Sequence, residues 1–402
     1  MKVAVLGYGT VGSGVVHVIE TNHDSILEKS GVDLEIKYVL DLRDFPGDPI
    51  QEKVVHDYDV IVKDPEVKIV VEVMGGVEPA YTFTKRALSA GKSVCTSNKE
   101  LVARHGTELI ALARENHASY MFEASCGGGI PIIRPLRTCL CADVIDEITG
   151  IVNGTTNYIL TKMIEEGLEF EDVLKEAQEK GYAERNPEAD VEGHDACRKI
   201  AILSSLAYGK RVDYTDVYTE GITRITSADI KYAKAMGKTI KLLAYSRKEN
   251  GKVLAMVAPY LVGRQDPLAG VNGVFNAIFV HGNMLGDAMF YGQGAGKDAT
   301  ASAVVADVIE EAQVFGTSVM SVWSEEKQEL QNMADTKKRF FVRVSGKVQD
   351  VAAVENIFGA VEVVQAGVDG EYGFVTPEMS EAKYQEKAER LTGILGMLRI
   401  RD

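Results

Sequence analysis

The sequence predicts an α/β protein in three parts: a doubly wound parallel sheet first, an α+β domain after it, and a small ferredoxin-like module at the end. Three observations carry this. A glycine-rich turn follows the first apolar strand, strands and helices alternate to about residue 122, and residues 339–402 read strand, helix, strand, strand, helix, strand. At 402 residues, 46% hydrophobic and 26% charged, the chain has room for two or three domains.

The opening KVAVLGYGTVGSGVVHVI places Gly7, Gly9 and Gly12 between an apolar strand and an apolar helix pattern at Val11, Val15, Val18 and Ile19. This is the Rossmann dinucleotide fingerprint in its required context: Gly7 for the tight turn, Gly9 for backbone approach to a pyrophosphate, Gly12 for close helix packing. The helix start at Thr10 and Val11 offers N–H groups to the anion. Residues 34–40 read as the second strand, ending at Asp41 with Arg43 beyond it. The acid suits the ribose hydroxyl of NAD and the arginine the 2′-phosphate of NADP, so either cofactor is open. Asp41 stands further from Gly12 than the usual ~20 residues because residues 21–31 read as a polar loop.

Alternation continues with a strand at 69–73, a helix at 81–89, a strand at 93–96, a helix from Asn98 and a strand at 120–122. Ligands of such sheets sit beyond the strands' C-terminal ends. Gly75-Gly76 and Ser97-Asn98-Lys99-Glu100 lie there. Ser97 with Glu100 forms a capping-box pattern that puts Lys99 in the first helical turn, opposed to the helix dipole by ~0.3–1 kcal/mol, as a bound anion or reacting carbonyl would justify.

Glycines 127–129 before Pro131 suggest backbone held close to a ligand or an ion. From Asp143, runs 144–152, 253–262 and 274–285 read as long strands of a mostly antiparallel sheet, with helices at 156–166, 171–180 and 194–208. The turn Asn153-Gly154-Thr155-Thr156-Asn157 is either a carboxylate cradle or a simple capped turn. Residues 292–300, GQGAGKDAT, are not a phosphate loop, because Asp298 replaces the required Ser or Thr and Tyr291 the first glycine. The small residues Ala301, Ser302, Ala303 and Ala306 suit a helix, about 295–315, packed tightly on the nucleotide domain. Residues 324–338, charged and without a core face, read as a linker or a solvent-facing helix end. The expected domains are 1–130, 131–323 and 339–402.

The net charge of −15 and the lack of basic runs argue against nucleic acid or an anionic membrane as partner. No run approaches the ~18 apolar residues of a membrane span, and Met1 leads straight into the first strand, so a cytoplasmic protein acting on small molecules is expected. Cys95, Cys126, Cys139, Cys141 and Cys197 are scattered, as reduced thiols are.

Residues 181–199, GYAERNPEADVEGHDACRK, gather five carboxylates, two arginines and a lysine, ending on an amphipathic helix. Asp195 and Lys199 stand one turn apart; such a pair is ordinarily an exposed salt bridge of a few tenths of a kcal/mol. Here it accompanies a dinucleotide turn and a lysine at a strand end. With these motifs, nearly the whole chain resembles the homoserine dehydrogenases, with a shortened ACT-like tail.

The resemblance implies reversible hydride transfer between L-homoserine and L-aspartate 4-semialdehyde, with NADP or NAD. It makes Lys199 the general acid and base, with Asp195 and Lys99 beside it, and sets Glu184 and Asp190 against the substrate ammonium. Asn153, Gly154 and Thr155 then suit its carboxylate. The cofactor would also meet Ser97, Lys99, Gly181 and Gly296. A sodium ion would be held largely by main-chain oxygens around Glu123, Cys126, Gly128 and Ile130. A homodimer or homotetramer and a monofunctional enzyme are expected. The tail departs from the ACT pattern at Lys347-Val-Gln-Asp350, which puts an amino-acid effector such as threonine in doubt. Two other readings explain less: another nicotinamide oxidoreductase does not account for the acidic run, and a non-catalytic NAD or amino-acid sensor would bind cofactor without turnover.

Overall fold

A computed structural model describes residues 1–249, 251–317, 319 and 323–401. The expected second domain runs through residues 250, 318 and 320–322 and the expected tail through 402, which lie outside the described residues. The chain forms two compact units. The first comprises Met1–Ile145, Ala201–Tyr214 and Gly282–Gln328; the second comprises Asp146–Ile200, Thr215–His281 and Glu329–Asp402.

In the first unit β1 (Lys2–Leu6), β2 (Glu35–Leu40), β3 (Val54–Val55), β4 (Val67–Glu72), β5 (Ser93–Thr96) and β6 (Tyr120–Met121) form a parallel sheet in the order β3-β2-β1-β4-β5-β6. Strand order reverses at β1, as in doubly wound dinucleotide-binding folds. Leu6 is level with Leu40 and Glu72, and Glu72 with Thr96, so the strands end along one edge. Val3, Val5, Val39, Ile69, Val71 and Cys95 share a core with Val15, Val16 and Ile19 of the helix Thr10–Thr21.

The helix Lys297–Gln313 joins that core through Ala301, Ala303, Val304, Val305 and Val308. A Cβ on Gly14 would lie 2.9 Å from Ala301 Cβ, so the expected close packing occurs, although Ser302 faces solvent. Residues 21–31 are not a loop. They contain the helix His23–Ser30, anchored by buried Ile26 and closed by Gly31 at φ 71, whose N–H donates to Leu27 O; one apolar anchor and a left-handed glycine suffice for so short a helix.

The sheet of the second unit runs Phe275–Gly282, Ile145–Ile151, Lys238–Glu249, Lys252–Gly263, Ile394–Arg401, Phe340–Ser345, Glu371–Val375, Glu362–Val364. The strand Lys238–Glu249 and the helix Ser227–Ala235 had no counterpart in the sequence reading. That strand pairs along its whole length with Lys252–Gly263. The run 274–285 is not one strand: it ends at Gly282, and a second strand, Gly286–Gln293, follows. Asp143 Oδ1 closes the turn by accepting from Met284 N at 3.0 Å and Leu285 N at 2.7 Å.

Residues 340–401 have the split βαβ arrangement, last strand beside first and third between first and second. They are built into the larger sheet. Tyr260, Leu261 and Val262 pair in parallel with Arg399, Ile400 and Arg401. Buried arginines reinforce the seam: Arg399 meets Glu220 at 2.6 Å and Glu381, and Arg343 meets Asp229 at 2.9 Å and Glu371 at 2.8 Å. Nor are residues 324–338 a helix end. Without a helical apolar face they form two short strands, Ser324–Lys327 beside Lys210–Arg211 and Lys337–Lys338 beside Met379–Ser380, with a 3-10 turn at Met333–Asp335 between them.

Candidate active site

At the nucleotide edge of the first unit, Gly7 adopts φ 97 and donates its N–H to Leu40 O at 2.8 Å. A Cβ on Gly12 would lie 1.9 Å from Gly7 O, which only glycine permits. Gly9 precedes the helix without a side-chain cap and faces open space, so the first-turn N–H groups of Thr10, Val11 and Gly12 are disposed to receive a phosphate. The residues present fit a dinucleotide.

Asp41 closes this edge. Its Oδ2 accepts from Tyr8 N at 2.8 Å and from an Arg43 terminal nitrogen at 2.9 Å; its Oδ1 accepts from Arg43 Nε at 2.9 Å. The guanidinium and these N–H donors hold the carboxyl well below the usual carboxylate range. Asp41 is nearly covered, with 10% of its side chain exposed, whereas Arg43 is 61% exposed and lies over the Phe45 ring. The acid is therefore fixed and the arginine reaches into solvent.

The neighbouring strand ends are tied together by a buried acid that sequence reasoning did not assign. Glu72 accepts from Met74 N at 2.9 Å and Thr96 Oγ1 at 2.7 Å, and burial pushes its carboxyl up. Asn98 donates its side-chain amide to Gly76 O at 2.6 Å and accepts from Leu101 N at 3.1 Å. Asn98, not Ser97, is thus the cap: the Thr96 hydroxyl accepts from Asn98 N and delays the helix by one residue. Lys99 thereby becomes its first residue and stays in the first turn.

Glu123 spends its carboxylate on the N–H groups of Ile132, Ile133 and Arg134. Any part in a cation site falls to its main chain. The glycines after it have a structural reason of their own, since a Cβ on Gly128 would lie 2.3 Å from Gly294 O and one on Gly129 2.9 Å from Ala299 Cβ. Gly296 precedes the helix Lys297–Gln313, while Gly181, at φ 75, donates to Gln178 O just past the helix Phe170–Glu179.

In the second unit, the strand Ile145–Ile151 delivers Val152 and Asn153 to the start of the helix Gly154–Glu166. Asn153 Oδ1 accepts from Thr156 N at 2.9 Å, capping the helix, while Nδ2 donates to Asp190 Oδ1 at 2.7 Å and Asp195 Oδ2 at 2.9 Å. Lys199 Nζ donates to the same Asp195 Oδ2 and to Val152 O, each at 2.7 Å. Asp195 is 3% and Lys199 8% exposed. The pair is therefore a buried, oriented one rather than a solvated bridge.

Gly154 is required beside Val274 O, 2.8 Å from where a Cβ would stand, and Thr155 ties the helix start to Tyr182 O at 2.7 Å. The structure thus brings together Asn153, Asp190, Asp195 and Lys199. It leaves Glu184 on the exposed turn, where its main-chain oxygen accepts from Gln178 at 3.0 Å. The Val152 carbonyl could not have been found from sequence, because main-chain acceptors leave no residue-type signal.

Two family models match: one described as homoserine dehydrogenase over residues 131–309, the other as homoserine dehydrogenase, NAD binding domain, over residues 7–123. A homoserine dehydrogenase of Bacillus subtilis is 39% identical over 416 residues, covering 98% of this chain and 95% of that protein. One from Synechocystis is 46% identical over 318 residues, covering 77% and 72%. Among solved structures, a homoserine dehydrogenase from Thiobacillus denitrificans superposes with a TM-score of 0.92 at 32% identity, covering 100% of this chain and 98% of that one. A hyperthermophilic archaeal homoserine dehydrogenase mutant in complex with NADPH gives 0.65 at 32%, covering 78% and 97%.

Proposed function

This chain belongs to the homoserine dehydrogenase family, and on that premise we propose that its Lys199–Asp195 pair moves the proton while Asn153, Gly154, Thr155 and Asp190 hold the amino acid. It is an NAD(P)-dependent oxidoreductase. The observation that carries the assignment is the cluster in which buried Asn153 bridges Asp190 and buried Asp195, and Asp195 holds buried Lys199.

Bound nicotinamide dinucleotide supplies or takes the hydride at the substrate's C4. The chain's own part is binding and proton handling. Lys199 gives a proton to the oxygen as the aldehyde is reduced, and takes it back as homoserine is oxidised. Asp195 and Val152 O fix the amine's axis. A positioned acid or base of this kind contributes about 10²–10⁴-fold. The N–H groups of Gly154 and Thr155 suit the substrate carboxylate, and Asp190, with Glu184 from the exposed turn, its ammonium. Following reduced nicotinamide by absorbance with homoserine, threonine, serine and malate tests the reading. Turnover with homoserine above the rest is expected; none with homoserine overturns it.

For the cofactor, Gly7, Gly9, Thr10, Val11 and Gly12 take the pyrophosphate, with Ser97, Lys99 and Gly296 of the same unit as further contacts. Asp41 is held by Tyr8 N whether or not Arg43 stays on it, so both NAD and NADP are accommodated and exposed Arg43 serves the 2′-phosphate. Arg43→Ala is then expected to lower kcat/KM for NADP about tenfold or more relative to NAD, the worth of a charge-assisted hydrogen bond. An equal fall for both cofactors would remove Arg43 from this role.

The same reading includes a sodium ion on main-chain oxygens of Glu123, Cys126, Gly128 and Ile130. It also includes assembly of copies into a dimer or tetramer and action in the cytoplasm; among the described residues no helix is long and apolar enough to cross a membrane. At the tail, Asp350 accepts from Lys347 N at 2.9 Å and is already engaged where an amino-acid effector would bind.

A further inference from the structure

Lys241 lies in mid-strand opposite Tyr260, in the apolar run Ile-Lys-Leu-Leu-Ala, and is fully buried. Its ammonium donates to Val271 O, to Asn272 Oδ1 at 2.9 Å and to Asn157 Oδ1 at 3.2 Å. All three acceptors are neutral. Burial pulls the amine's pKa down to about 8, and Glu165, on the adjacent helix, acts the other way. A desolvated cation without a bonded counter-ion is a costly way to fill a strand position that leucine or methionine would fill well.

What the ammonium holds is a loop. Asn157 Nδ2 donates to Val271 O at 3.1 Å and to Gly273 O and Phe275 O at 3.0 Å each, and Gly273 N donates to Thr161 Oγ1 at 3.0 Å. Together these bonds fasten residues 271–275 along the helix Gly154–Glu166. The loop's Val274 O is also the atom that presses on Gly154. Immediately before Gly154 stands Asn153, which holds Asp190 and Asp195.

We propose that Lys241 is a positioning residue for homoserine: by clamping residues 271–275 to the helix Gly154–Glu166, it fixes the turn Asn153–Thr155 on which the amino acid is held. The proposal rests on the substrate reading above. Lys241 touches no reacting atom in this account. Its loss therefore acts on substrate binding and alignment and spares the cofactor, which the other unit holds.

The test is steady-state kinetics of Lys241→Met and Lys241→Arg beside the wild type, varying homoserine and cofactor in turn. In Lys241→Met, KM for homoserine is expected to rise about tenfold or more with KM for cofactor within about twofold, and Lys241→Arg, which keeps charge and donors, to recover much of the loss. A folded Lys241→Met with an unchanged homoserine KM overturns the proposal, as does a rise of both KM values together, which marks general loosening. Should Lys241→Met fail to fold, Asn272→Ala removes one acceptor from the exposed side of the loop, and the same two criteria apply. Wild-type turnover, read first, separates failure of the substrate reading from failure of this one.

Discussion

Lys199→Ala is expected to lower kcat by about 10²–10⁴-fold while cofactor affinity stays within about twofold of the wild type. The amine is held by Asp195 and Val152 O, both in the second unit, and no element of the nucleotide edge depends on it. Removing it leaves Asp195 buried with Asn153 still donating to it, so some stability is lost too. A thermal melt and a cofactor titration by nicotinamide fluorescence separate that loss from catalysis. Retention of more than about a tenth of wild-type kcat is outside what a lost proton-transfer group allows.

Arg399→Leu is expected to destabilise the second unit by about 3–5 kcal/mol, the cost of leaving the buried Glu381 carboxylate without its cation. Arg399 is 2% exposed and bonds Glu381, itself 5% exposed, and Glu220. The loss should appear in urea denaturation as a lower midpoint for the transition of the second unit, with the nucleotide unit followed separately by cofactor binding. Replacing Glu381 by leucine as well is expected to return part of the stability, because an apolar pair of similar volume no longer strands a charge. A single variant as stable as the wild type would mean that the tail is held by its strand pairing alone.

The parts legible in the sequence are those fixed by local backbone constraint. Gly7 and Gly12 announce themselves because a side chain at Gly12 would meet Gly7 O, and Asp195 and Lys199 because one helical turn brings them together. What was not legible depends on distant partners. The strand Lys238–Glu249 is interrupted by Lys241 and Ser246, polar residues buried at 0% exposure. Taken alone they argue against a core strand, and the acceptors that justify Lys241 lie 30 or more residues away along the chain, or 84 in the case of Asn157. The cap at Asn98 was misplaced by one residue because the Thr96 hydroxyl, tied to Glu72 on another strand, sets where the helix starts. Nothing in the sequence pairs Arg343 with Asp229 and Glu371, or Arg399 with Glu220 and Glu381, because those carboxylates stand on other elements.

Two lysines stood as candidates for the proton. Lys99 begins a helix at the nucleotide edge, and Lys199 is locked against a buried aspartate. Chemical rescue distinguishes them. Lys199→Ala and Lys99→Ala are assayed for homoserine oxidation with increasing concentrations of a small alkylamine. The account predicts that added amine restores turnover of Lys199→Ala in proportion to its concentration and leaves Lys99→Ala unaffected; rescue of Lys99→Ala instead, with Lys199→Ala unmoved, would contradict it.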